Sequence, residues 1–144
     1  METYSFHGFI AREATLRVAA QGIPTARFEK LRFGLAYMPL TDDVLAAMGD
    51  TAPISVEVEW LSGPAADWAR AASERGPVVY VEGVVEGGSG WHAGVAWLQQ
   101  SLAFGPLRLE ERSPVNQALA QLGLEPEAGH DAMSSLKLDE REPG

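Results

Sequence analysis

Glu82, Glu86 and His92 flank the glycine cluster Gly87-Gly88-Ser89-Gly90, and two carboxylates beside an imidazole are a donor set for a divalent metal or for proton transfer. On an extended strand, however, Glu82 and Glu86 stand about 13 Å apart, at roughly 3.3 Å per residue. That is too far to share one ion. The remaining histidines, His7 and His130, lie in other stretches, and no HxxxH, HxH or HExxH spacing occurs. A cross-strand Glu86–His92 pair on a solvated or partner-facing surface is therefore the preferred reading, with no metal and no cofactor expected.

Other candidates weigh less. Glu57 and Glu59 are two residues apart on an alternating segment, about 6.6 Å at the backbone, within the span of paired catalytic carboxylates. Alternating glutamates are also the commonest way to solvate an exposed sheet face, and that reading is preferred. Ser89 sits in GGSG, which lacks the GxSxG spacing of a nucleophile elbow. The same glycines lack the Lys-Ser/Thr and the helix that follow a phosphate-binding loop. Asn116 and Gln117, just inside a helix after Ser113-Pro114, could present amides to an anion, but an ordinary polar face is the simpler expectation. Of four tryptophans, Trp60, Trp68 and Trp97 read as core by periodicity. Trp91, at the loop edge, is the one expected to touch a partner. No catalytic residue is assigned.

The chain has no cysteine, so disulfides, thiolate metal sites and cysteine nucleophiles are excluded. Its net charge of −9 is lopsided: residues 1–49 carry five acids and five bases, residues 50–144 carry 15 acids and 6 bases. An acidic field disfavours nucleic acid, whose binding needs Lys and Arg against phosphates. It suits solubility or a basic partner. No run approaches the roughly 20 apolar residues of a membrane span. METYSFHGFI has no basic n-region or apolar h-region, so no signal peptide is expected and the expected location is cytoplasmic.

These residues need elements to hold them. Alternation marks a first strand over Thr3–Ala11, another from Leu31 to Tyr37, and a third over Ile54–Leu61, where Ile54, Val56, Val58 and Trp60 share one face. Short helices are expected over Glu13–Gln21, after the Thr41 cap with Asp42 and Asp43 in its first turn, after Ser62-Gly63-Pro64, and from Val115 to Leu122. Pro77–Leu107 holds the strongest hairpin signal. If burial selects the register, Glu86 stands opposite His92 across a five-residue loop, Gly87 to Trp91. Val79, Val81, Val85, Trp91, Val95 and Trp97 then share the buried face. Leu107 and Leu109 suggest a short edge strand. Residues 1–124 are expected to form one α+β domain, with a mixed or antiparallel sheet of five to six strands. Residues 125–144 are expected to be an acidic peripheral tail with a short strand at Ser135–Leu138.

The segments VVYVEGVVEGGSGWHAGVAW, FGPL and SPVNQALAQLGL, spanning Val78 to Leu124, resemble a pattern in small bacterial α+β proteins that are similar to immunity proteins of toxin systems. The resemblance implies a non-catalytic inhibitor that blocks a basic toxin or effector, and it transfers no catalytic residue. Glu82, Glu86, Trp91 and His92 are the contacts expected for such a partner, with Glu57 and Glu59 beside them. Two other functions stay open: a small-ligand-binding or enzymatic domain using Glu57, Glu59 or His92, and an assembly subunit of a phage or mobile element.

Overall fold

A computed structural model describes residues 2–142. Met1, Pro143 and Gly144, at the outer limits of the expected domain and tail, lie outside the described residues. The fold is α+β, built on one six-stranded antiparallel sheet in the order β2-β3-β1-β4-β5-β6. The strands are β1 (Tyr4–Arg12), β2 (Glu29–Lys30), β3 (Leu35–Pro39), β4 (Val78–Glu86), β5 (Ser89–Leu98) and β6 (Ser101–Leu109).

Helices cover both sheet faces. On the first face lie α1 (Glu13–Ala19), α2 (Asp42–Met48) and α3 (Gly63–Ala72), over Phe9, Met38, Tyr80, Val95 and Trp97. The second face carries Ile10, Val79, Val81 and Ala96 beneath α4 (Ser113–Ala120) and α5 (Ala132–Ser135). The caps are local in origin. Thr41 Oγ1 accepts from the Val44 N–H at 3.2 Å, and Ser62 Oγ accepts from the Ala65 N–H at 3.2 Å ahead of Pro64.

Several expectations change. The hairpin closes on two residues, with Glu86 opposite Ser89 and Val84 opposite Trp91, so Glu86 faces neither His92 nor Trp91. Val78, Tyr80, Glu82, Val84 and Glu86 share a face with Trp91, Ala93, Val95 and Trp97, while His92 lies on the other face beside Gly83. Because both faces are covered, burial does not choose between registers. The turn does: Gly87 (φ 59°) and Gly88 (φ 83°) both take the left-handed backbone of a two-residue hairpin loop.

Ile54–Leu61 is not a strand. The segment 50–62 makes only an isolated bridge, Pro53 with Ser62. Val56 is 88% exposed, and of the four alternating apolar residues only Val58 is buried. Its Glu59 and Trp60 backbone donors serve a side chain instead of a neighbouring strand, as described below.

Residues beyond 125 are not peripheral, and Ser135–Leu138 is no strand. Ala132, Met133, Leu136 and Leu138 are buried against the second face, in α5 and the turn after it. Asn116 pins this segment, its amide donating to Asp131 Oδ2 (3.0 Å) while its carbonyl accepts from the Met133 N–H (2.9 Å). Both amide groups are thereby used internally rather than offered to an anion. Arg112 adds a clip, reaching Glu2 at 2.8 Å and Asp139 at 3.0 Å. β6 also runs longer than the short edge strand expected at Leu107–Leu109, because Gln99 and Gln100 turn the chain at positive φ without a glycine.

Candidate functional site

One cross-strand row on the first face runs His7, Glu82, Ala93, Arg108, from β1 to β6. Glu82, expected at a partner surface, is wholly buried. The segment 50–62 closes over it. Glu82 Oε1 accepts from the Glu59 N–H (2.9 Å), the Trp60 N–H (2.9 Å) and the Tyr80 hydroxyl (2.5 Å), and Oε2 accepts from the Glu59 N–H (3.0 Å). Burial raises the Glu82 carboxyl above its ordinary range, and the four donor contacts offset that only in part. The Tyr80 phenol is pushed well up by burial and by the carboxylate beside it.

Above this carboxylate lies an aromatic ladder. The His7 ring stacks on Trp60 at 4.0 Å between centroids and 10° between planes, and Trp60 lies 6.1 Å and 20° from Trp91. The Arg108 guanidinium caps the far end, 3.7 Å over the Trp91 ring. Such cation–π contacts are worth about 0.5–2 kcal/mol. Burial lowers the pKa of His7, which favours the neutral ring in the stack.

The helices stop short of the hairpin end of this face. The next row, Ser5–Val84–Trp91, is only half-buried, and Glu86 and Ser89 beyond it are exposed. Glu59 is exposed and Glu57 half-buried on the covering segment. Among the described residues Glu57, Glu59 and Glu86 take part in no ion pair. The structure thus sets Trp60 beside Trp91, with Glu57 and Glu59 on the covering segment that carries Trp60 and Glu86 farther along β4 at the hairpin turn. Sequence reading placed Trp60 in the core, since its alternation with Val58 looked like a strand. Nothing in the spacing marks its stack on His7.

His92 goes elsewhere. It is buried on the second face, where the Glu110 carbonyl lies 2.8 Å from Nδ1 and the Tyr4 hydroxyl 2.7 Å from Nε2. A carbonyl only accepts, so Nδ1 carries the hydrogen and the neutral ring accepts at Nε2 from Tyr4. Burial lowers the His92 pKa, in keeping with that tautomer, and raises that of Tyr4. Among the described residues no group of three or more His, Asp or Glu side chains is placed to hold a metal ion. No family model, curated protein or solved structure matches this chain.

Proposed function

We propose that this protein is an acidic, non-catalytic binding protein of the immunity type, one that covers a basic site on a toxin or effector. The observation that carries the reading is the open end of the first sheet face. There the stacked Trp60–Trp91 pair is half-exposed, Glu57 and Glu59 precede Trp60 on the covering segment, and Glu86 is exposed at the hairpin turn, all three carboxylates outside any ion pair among the described residues. Half-buried tryptophans act as interface anchors, here one on β5 and one stacked on it from the covering segment, and nearby carboxylates speed encounter with a cationic partner. Glu82 does not contact the partner in this reading. It holds the segment that presents Trp60.

The test uses the product of the adjacent reading frame, co-expressed with this protein. The expected outcome is relief of that product's toxicity and an isolable complex. A Glu57→Gln, Glu59→Gln, Glu86→Gln triple variant should associate more slowly and with a flatter salt dependence. An unchanged association rate and salt slope would contradict this placement of the interface.

A further inference from the structure

Beside the Trp60 ladder a cleft of about 510 Å³ opens where β3 ends, lined among others by Ser5, His7, Tyr37, Asp42, Trp60 and Arg141. β3 pairs with β1 only from Gly8 onward, opposite Pro39. Beyond that point His7 has its backbone satisfied by substitutes. Its N–H donates to the Tyr37 hydroxyl (3.1 Å), and its carbonyl accepts from that hydroxyl (3.0 Å) and from the Leu40 N–H (3.0 Å). Backbone groups of a strand alternate in direction every residue. Since the N–H and C=O of His7 point to the β3 side, those of Ser5 point the same way, into the cleft, where no strand follows among the described residues.

Beyond its length of bare strand edge, the cleft has a charge bias. Asp42 stands at its rim in no ion pair among the described residues. Arg141 is already engaged, 2.7 Å from Glu29 and 4.5 Å over the Tyr37 ring. Glu142 lines the same cleft. An unpaired strand edge is a template for another strand, and carboxylates at its rim select a cationic one.

We infer that this cleft takes an extended, lysine- or arginine-bearing segment of the partner. That segment continues the β3 lane by hydrogen-bonding Ser5 and places a cationic side chain against Asp42. This rests on the binding-protein reading and supplies the element by which the partner is held. Backbone pairing gives the register, and the Asp42 carboxylate gives the preference for charge.

The probe is the peptide acetyl-Thr-Lys-Val-Lys-Thr-amide, titrated into the ¹⁵N-labelled protein. Saturable shifts are expected at the amides of Ser5, His7 and Asp42. The analogue with glutamate for lysine should bind about tenfold more weakly or worse, and the peptide with N-methylated valine should lose the Ser5 shift. Asp42→Asn should weaken the lysine peptide about fivefold. Ser5→Pro removes an N–H that belongs to no ladder bond and should abolish binding; if circular dichroism shows that variant unfolded, Asp42→Asn decides the matter. Absence of a saturable Ser5 shift, equal binding of the glutamate peptide, or indifference to N-methylation would each overturn the inference. A partner complex lost on changing Trp60 or Trp91 but untouched by Asp42→Asn would sink the cleft and leave the binding-protein reading standing. Peptide binding with no partner complex would do the reverse.

Discussion

Replacing Glu82 by glutamine isolates a contest between burial and hydrogen bonding. The carboxylate has no counter-cation within the site, and removing an ion from water costs several kcal/mol. Against that stand four donor contacts from two backbone amides and one phenol, and hydrogen bonds to a charged group are worth about 1.5–3 kcal/mol each. Burial wins, since the pKa is raised. A folded-state pKa above the unfolded value of 4.5 means that Glu82 contributes most below that pH and that the contribution is lost as pH rises through the folded pKa. Glu82→Gln keeps the volume and an acceptor for Trp60 and Tyr80, but turns an amide donor toward the Glu59 N–H. That mismatch should cost about 1–3 kcal/mol at low pH. The gap to wild type should then shrink toward about pH 8, because the variant never buries a charge. Urea unfolding of both proteins from about pH 4 to about pH 8, with groups common to both cancelling in the difference, measures it. A gap that widens with pH would show that the fold prefers the charged form and would refute the reasoning.

Four further outcomes are expected. Tyr4→Phe leaves His92 Nε2 without its donor and should cost about 1–3 kcal/mol in urea unfolding. The lowered pKa values of His7 and His92 mean that their contribution is present above pH 6.5 and is lost as pH falls through the folded values; NMR titration should place both midpoints below 6.5, and a midpoint above it for either would contradict its burial. Met133→Ala should cost about 2–5 kcal/mol by calorimetry or urea, where a peripheral residue would cost under about 0.5 kcal/mol. Gly94→Ala would set a methyl 2.2 Å from the Pro114 carbonyl, displacing α4 and costing about 1–3 kcal/mol or more, read by thermal unfolding.

What was legible in the sequence were features with local causes. Thr41 and Ser62 act as caps as expected, β1 and β4 follow their alternation, and the glycine cluster marks where the hairpin turns, though not its two-residue length. The failures came from the backbone of the hairpin turn and from partners distant in the chain. Alternation at Ile54–Leu61 looks like a strand because periodicity says nothing about whether a sheet lane is free. The expected Glu86–His92 pairing assumed one dry face and one wet face, whereas α4 and α5 cover the second face as fully as α1 to α3 cover the first. Residues 125–142 looked polar, yet four apolar side chains, Ala132, Met133, Leu136 and Leu138, suffice to anchor them. At the candidate site, Glu57 and Glu59 lie on the covering segment, and Glu86 and Trp91 at the accessible hairpin end of the sheet. Glu82 and His92 do not reach it, since their polar heads found buried partners from Glu59, Trp60 and Tyr80 in one case and from Tyr4 and Glu110 in the other.

The Arg112 clip between Glu2 and Asp139 has a consequence for biosynthesis. β1 precedes the other five strands in the chain, yet it lies inside the sheet, between β3 and β4, and the turn at Leu138–Glu140 packs against it. During translation one edge of this strand is covered once β3 is made and the other once β4 is made, whereas the clip closes only when Asp139 has been added. The second face is covered last, because Phe6 and Ile10 pack in one cluster with Val115, Leu119, Met133 and Leu138, and until those residues are made that face is open to other nascent chains.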